Sequence, residues 1–494
     1  MSAVSPQQQA LPAARPRVQG IERNAVLVFV VVYGVLGILM PLYLLLPLHA
    51  RYPYDLSRLV CNGITQYAAL RLALIAARGQ PRFTLITFFV FIYVWAGLAP
   101  SAQLVAQNFP WKKLHRPDQA TRGTLIMALA VAAYEMGRVG ALLKPWRPPA
   151  WRIELNISRS AVIWLCVAAP VLLLLGVASL GSVGALFGTR ARYDRAIGHL
   201  SRMRGLVTGA MIRSPAFVAF MLSAHFTLAH WKTLRRDNRR VMLFSTVAMA
   251  LLNLAANFPG SLIRAWLSAV VLTPLFGLLR WRSLLAPAWV LGLSLSAIIV
   301  FPYLDAFRRA PTLDAGIDAL TITSVVDPMI HKGDYDVFQQ TTNAVVYVER
   351  YGVDWGHNIL SAVFFFVPRS IWPSKSSGTS VEVNGQLGYA ETNLSVPLWM
   401  EAYVGFGWVG VVVLLGLYGF ASARGEAAYL RLLAETGPPR VTAVLLPFWG
   451  AYQFFILRGD LQNVLAFSAM PMLLLMITTR VRLRRQAPAP VVQA

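Results

Sequence analysis

The sequence predicts an all-α protein that crosses a membrane many times, and three observations carry that prediction. Hydrophobic residues make up 56% of the 494 residues and charged residues only 13%, roughly half the quarter that a soluble domain carries. Apolar runs recur from residue 24 to residue 479, each close to the ~20 residues a helix needs to cross the hydrocarbon core. The runs are continuous and do not alternate apolar with polar, so helices rather than barrel strands satisfy their backbone groups in lipid. A net charge of +24 invites a nucleic-acid reading. Its Lys and Arg lie mostly in connectors between the apolar runs, where the positive-inside bias places them, and that reading is set aside.

Residues 1–23 are Pro/Gln/Ala-rich, with Arg15, Arg17 and Arg23 ahead of the first apolar run. That run is too long and uninterrupted for a cleaved signal, so the segment reads as a cytoplasmic tail before a retained anchor. Spans are expected at 24–48, 57–77, 83–106, 124–143, 160–180, 206–230, 241–258, 262–279 and 283–303, then at 396–421, 441–457 and 461–479. The second of these carries Asn62, Gln66 and Arg71, and charge decides it. With it, hydropathy yields about twelve spans. The cytoplasm then receives Arg78 and Arg82, the turn 144–152, the cluster 232–240, Arg280 and Arg282, Arg424 and Arg431, and the tail 480–494. Without it every later connector changes sides. Two basic loops, 112–122 and 190–204, are left facing outward; they are either exceptions to the bias or a surface for something anionic.

The organisation is therefore a tail at 1–23, nine spans over 24–303, a large external loop at 304–395, three spans over 396–479 and a cytoplasmic tail at 480–494. No internal repeat stands out, and Cys61 and Cys166 suggest neither a disulfide framework nor a metal spacing. Within the loop, 341–351 has helical character and the Ser/Gly/Asn-rich 374–384 reads as loop. The apolar run 358–367, ended by Pro368, is too short to span. It is expected as an interfacial or re-entrant helix that delivers Arg369 and Lys375 to the membrane surface.

Chemistry-bearing residues concentrate between about Phe301 and Gly410. Arg308, Arg369 and Arg458 sit at external ends of spans or of the short loop helix, joined by Lys375. Arg264, just inside a span, adds an intramembrane cation. Guanidinium matches phosphate oxygens bidentately and keeps its charge at any pH, so the set suits a lipid-linked pyrophosphate; snorkelling to lipid headgroups is the plainer alternative. Glu401, Asp334 and Asp336 are the candidate carboxylates. A sugar hydroxyl attacking an anomeric carbon needs a base within hydrogen-bond reach, whereas an ion pair or a loop cap would be the structural role. His331 and His357 are further bases or surface residues. Trp355, Phe364, Trp372, Tyr389 and Trp399 fit sugar stacking or an interfacial belt. Asp327 with Asp334 and Asp336 lacks the spacing of a metal site, and no Gly-rich phosphate loop, nucleophile elbow or zinc motif is present.

The run Phe366-Val367-Pro368-Arg369-Ser370-Ile371-Trp372-Pro373 with Lys375, then Glu401-Ala402-Tyr403 and Gly405-Phe406-Gly407-Trp408-Val409-Gly410, resembles the bacterial oligosaccharide repeat-unit polymerases of the Wzy type, which build O-antigen and exopolysaccharide. Asn257-Phe258-Pro259 with Arg264, Pro302 with Arg308, Gly333-Asp334-Tyr335-Asp336 and Arg458-Gly459-Asp460 look like that family too. The likeness is dense from about residue 251 to 460; the first half agrees in hydropathy and in pieces such as Tyr134-Glu135-Met136-Gly137.

The resemblance implies a GT-C-like membrane glycosyltransferase of the bacterial inner membrane, with its active site facing the periplasm. A growing glycan would move from undecaprenyl pyrophosphate onto the next lipid-linked repeat unit, with no metal and no cofactor. Arg264, Arg308, Arg369, Lys375 and Arg458 would hold the pyrophosphate, and Glu401, Asp334 or Asp336 would be the base or would orient the arginines. Implied partners are undecaprenyl-pyrophosphate-linked oligosaccharides, the bilayer and a chain-length-regulating co-polymerase. The alternatives are an O-antigen ligase acting on lipid A-core and a flippase of lipid-linked oligosaccharide. Flippases tend towards related halves and short loops, which this chain lacks.

Overall fold

The computed structural model describes residues 21–48, 55–111, 115–143, 151–231, 236–279, 285–305, 310–318, 324–434 and 440–485. In chain order the first half comprises α1 (Asn24–Leu45), α2 (Asp55–Arg78), α3 (Phe83–Ala106), α4 (Pro117–Leu143), β1 (Trp151–Ile157), α5 (Arg159–Leu180), α6 (Arg190–Ile197), α7 (Arg202–His230), α8 (Arg236–Ala256), α9 (Arg264–Leu278) and α10 (Leu285–Val300). The long loop carries α11 (Leu313–Asp318), α12 (Val326–His331), α13 (Val337–Tyr351), α14 (His357–Val363) and α15 (Thr379–Gln386). Then come α16 (Leu398–Ala434), α17 (Thr442–Arg458), α18 (Leu461–Ile477) and β2 (Thr479–Arg485).

A helix stands at each place where the sequence predicts a span, but not every one is long enough to cross. Among the described residues eight helices have the length and apolarity for it: α1–α5, α7, α8 and α16. The apolar helices α9, α10 and α18 are shorter, and α17 has 17 residues. The doubtful second segment is a full helix of 24 residues, and its polar residues are the reason it packs. Gln66 donates Nε2 to Gly37 O at 2.8 Å and accepts from Tyr33 Oη at 3.0 Å, while Arg71 donates Nε to Glu135 at 2.6 Å. A polar side chain with a partner costs far less in an apolar surround than one without.

Proline sets three local widenings. π-helical turns at Gly34–Leu39, Ile92–Leu98 and Ser296–Val300 each end two residues before a proline: Pro41, Pro100 and Pro302. Proline lacks the N–H for the i→i−4 ladder and clashes with the i−4 carbonyl, and a π-turn absorbs that misfit. At the core, α3 is wholly buried across its apolar window. It is flanked by α4, whose Tyr134 ring stacks 3.5 Å from Phe88. α4 and α16 approach through glycine: a Cβ at Gly137 would strike the backbone of Gly416, and one at Gly419 would strike that of Tyr134. Such small-residue contacts let membrane helices close up.

One element departs from the all-α expectation. β1 and β2 form an antiparallel ribbon running from Trp151↔Arg485 to Ile157↔Thr479. It ties the basic turn ahead of β1 to the start of the C-terminal tail, two segments that charge had placed on one side. The alternate directions of the helices put the α8–α9 turn, the long loop and the α17–α18 turn at the opposite end. These are called the ribbon end and the loop end below.

Within the loop, α13 agrees with the expected helix. The stretch 374–384, read as irregular, instead begins α15: Ser377 N–H is accepted by Glu382 Oε1 at 3.0 Å, and Gly378 takes φ 114° at the helix entrance. The run after residue 357 is helical only to Val363. α16 breaks at Phe406 and Gly407, where Gly407 has φ 62°; glycine adopts that region without a Cβ penalty.

Candidate functional site

Asp334 lies on a 3-10 turn, Gly333–Tyr335, just ahead of α13. Three bonds fix that turn against the helices. Trp95 donates Nε1 to Asp334 O at 2.8 Å, Gln103 donates Nε2 to Tyr335 O at 2.8 Å, and Tyr335 donates Oη to Ala297 O at 2.7 Å. A Cβ at Gly333 would run into the Trp111 indole, so glycine there lets the turn lie flat.

Two guanidinium groups converge on this carboxylate. Arg264 opens α9 and donates both Nη1 and Nη2 to the two Asp334 oxygens, with its face 4.9 Å from the Phe301 ring. Arg458 closes α17, donates Nη2 to Gly333 O at 3.1 Å and lies 3.6 Å from Asp334 Oδ1. Its buried Nε has no hydrogen-bond partner among the described residues. Lys332, beside them, donates Nζ to Pro302 O at 2.8 Å. The Asp334 side chain is 8% exposed, against 16% for Arg264 and 27% for Arg458. The anion is therefore inside and the cations face outward.

Burial pushes the Asp334 carboxyl up, but Arg264 and Arg458 outweigh burial and hold it below the ordinary carboxylate range. An ionised carboxylate gripped by two arginines is a weak base. Its role here is to set their geometry. Asp336 is fully buried, accepts from Trp111 Nε1 at 2.8 Å, and burial raises its carboxyl above the ordinary range.

The other expected site residues take different places. Glu401, 1% exposed, accepts from Asn358 Nδ2 at 2.9 Å, from Thr379 Oγ1 and from Leu461 N–H at 2.8 Å. These bonds latch the loop to the start of α18. Asp460 lies beside it, accepting from Ser380 N–H at 3.1 Å and capping α18 through Gln462 N–H at 3.0 Å. Lys375 was expected at the membrane surface; its Nζ instead turns inward to Phe365 O at 2.9 Å and Val367 O at 2.5 Å, where it caps carbonyls of the irregular turn after α14. Arg369 is exposed, with Nη2 donated to Ser376 O at 3.1 Å. Arg308 lies outside the described residues. His331 sits 2.9 Å from Asp327 and His357 bonds Ser374 O at 2.8 Å. Trp399 is fully buried against Thr341 and is core rather than a stacking platform, whereas Trp355 is open to the surface. No cluster of three His, Cys, Asp or Glu with the geometry to hold a metal occurs among the described residues.

Sequence reasoning missed the supporting set: Trp95, Gln103, Trp111 and Lys332. Trp95 and Gln103 share α3, Trp111 comes from the segment after it and Lys332 adjoins the turn, and nothing in the sequence pairs α3 or Trp111 with Asp334. The arrangement itself offers two fixed guanidinium groups, partly open, on one carboxylate: a geometry for gripping phosphate oxygens. No protein-family model, no curated protein and no solved structure matches the chain.

Proposed function

We propose that this protein is a polysaccharide polymerase: a metal-independent glycosyltransferase of twelve membrane crossings and GT-C-like arrangement, in the bacterial inner membrane with its site on the periplasmic face. It transfers a growing glycan from undecaprenyl pyrophosphate to the next lipid-linked repeat unit. The observation that carries this reading is the convergence of Arg264 and Arg458 on Asp334 at the loop end. The motifs around Arg369, Glu401 and Arg458 that resemble repeat-unit polymerases support it.

In this mechanism the acceptor hydroxyl attacks the anomeric carbon while the bond to pyrophosphate breaks, and its proton passes to the departing pyrophosphate. Negative charge grows on the leaving pyrophosphate. Arg264 and Arg458, already held by Asp334, meet that charge without reorganising, which is where preorganised donors lower a barrier. Arg369, on the exposed segment after α14, extends the grip along the lipid carrier. Glu401 and Asp460 keep the loop seated so that the arginines stay in register.

The test is the size distribution of surface glycan in a deletion strain carrying either the parent gene or Arg264→Ala with Arg458→Ala. Single repeat units on their final carrier, in the deletion and in the double variant, support polymerisation. Long polymer left on undecaprenyl pyrophosphate would point to ligase action, and lipid-linked units held on the cytoplasmic side would point to a flippase.

A further inference from the structure

A cavity of about 380 Å³ opens at the loop end between the end of α5 and α6, lined by Ser182, Ala185, Arg192, Arg195, Ala196 and Pro311. Its wall carries two arginines, Arg192 and Arg195. The carboxylate on α6, Asp194, is taken by Arg190 at 2.7 Å. Arg192 and Arg195 form no ion pair among the described residues; Arg195 only turns Nε back to Ala191 O at 3.3 Å. Two glycines shape the site: a Cβ at Gly184 or Gly188 would meet the Arg192 side chain at 2.9 or 2.8 Å, so their absence of side chains lets the arginine lie along the wall. The Thr189 hydroxyl is buried with no partner among the described residues. Behind α6, Arg213 is 7% exposed, stacks 4.3 Å from the Tyr193 ring and donates Nη2 to Ser261 O at 3.1 Å. It too has no carboxylate within ion-pair distance among the described residues. A buried cation without a counter-ion is costly, and an anion arriving in front of α6 would relieve that cost.

The source of the anion is indicated by what leads up to the cavity. Val167, Val171 and Leu174 are all exposed, and their i, i+4, i+7 spacing puts them in one stripe along α5. Beyond the end of α5, Val183, next in sequence to the lining residue Ser182, and Phe187 are also exposed. An apolar track on a candidate membrane span that ends at two unpaired guanidiniums fits a phosphate with acyl chains, not a soluble ion.

We propose that this cavity binds the phosphate headgroup of an anionic membrane phospholipid, with its acyl chains along the α5 stripe. Arg192 and Arg195 grip the phosphate oxygens, Ser182 adds a hydroxyl, and Arg213 contributes charge from behind. The site shares no residue with the Arg264–Arg458 pair and does not depend on the polymerase reading.

The experiment uses the full-length protein, purified in detergent and delipidated, titrated with phosphatidylglycerol or phosphatidylcholine, with retained lipid counted by native mass spectrometry. Phosphatidylglycerol should bind at least tenfold more tightly than phosphatidylcholine. Arg192→Ala with Arg195→Ala should abolish that preference, and the double Lys variant should recover part of it. Arg192→Glu with Arg195→Glu is a second probe on the exposed wall should the Ala pair purify poorly, and it too should erase the preference. Equal affinity for the two lipids, or a preference that survives these variants, overturns the proposal. Displacement of phosphatidylglycerol by inorganic pyrophosphate as readily as by lipid would assign the cavity to soluble phosphate and overturn it equally.

Discussion

Two groups of buried charge lie at opposite ends of the bundle. Near the ribbon end, Arg71 and Arg138 face Glu135 and Glu426: Arg71 to Glu135 at 2.6 Å, Arg138 to Glu135 at 3.7 Å and Arg138 to Glu426 at 3.5 Å. Glu426 also accepts from Thr84 Oγ1 at 2.6 Å and from Leu85 N–H at 2.9 Å. Arg138 and Glu426 are almost sealed, at 4% and 3% exposed, with Arg71 and Glu135 at 19% and 17%. At the loop end, Arg264, Arg458 and Lys332 surround Asp334, and the cations are partly open. A pair sealed on both sides, as Arg138 and Glu426 are, closes helices on one another. Charge left in excess and open can receive a partner. Both groups use arginines near helix ends, so residue type alone does not separate a clamp from a site.

The sharpest way to break this contrast is Glu426→Ala. It strands Arg138 in the bundle and removes the acceptor from Thr84 and Leu85, which should cost about 3–5 kcal/mol, seen as a lowered thermal midpoint in detergent and poor recovery of monodisperse protein. If the variant is as stable as the parent, the ribbon-end group is not a clamp.

At the loop end the expected loss lies in activity. Under the proposed function, Asp334→Asn frees two guanidiniums from their common anchor and should slow glycan polymerisation roughly ten- to a hundredfold, the equivalent of about 1.5–3 kcal/mol in the barrier. The readout is polymer length at matched protein level; full-length polymer would make the two ends alike. Arg458→Ala should slow polymerisation about tenfold with little change in thermal midpoint, because its side chain is 27% exposed. Arg369→Ala should do less than Arg458→Ala, since among the described residues Arg369 bonds Ser376 O and no carboxylate.

The smallest effect is one of pH. Asp336 is raised by burial, so the folded protein holds its proton above the unfolded value of about 3.9. With more protons bound folded than unfolded, stability falls as pH rises above that value. Asp336→Asn should remove this penalty, so the variant gains on the parent from pH 4 towards neutrality in thermal scans. Asp334 works in the opposite sense. Its depressed carboxyl gives stability that is complete above the unfolded value and lost only as pH falls through its lower folded one, so the arginine pair keeps its geometry across neutral pH.

Much of this was legible in the sequence because lipid enforces length. A continuous apolar run must become a helix, and even the segment with Asn62, Gln66 and Arg71 could be assigned by charge. Arg264 and Arg458 were readable as charges at span ends. The role of Asp334 was not, since a carboxylate between two arginines and a lone base look identical until residues 70 apart in sequence are brought together. Lys375 misled for a similar reason: its partners are backbone carbonyls, which every sequence has. The ribbon left a trace that went unused. Trp151, Ile153, Leu155 and Ile157 alternate with Arg152, Glu154 and Asn156, the period of a strand, hidden beside so many basic connectors.

The ribbon has a consequence in time. β1 leaves the ribosome before α5, whereas β2 follows α18, so every later helix must be synthesised before the two strands can meet. Until then β1 presents an unpaired edge, the kind of surface that recruits the wrong partner, and a contact spanning so much chain forms late. Pairing of Trp151 with Arg485 thus follows synthesis of every described helix, and shortening the chain ahead of Thr479 would leave a protein whose described helices are all made but whose early strand still waits.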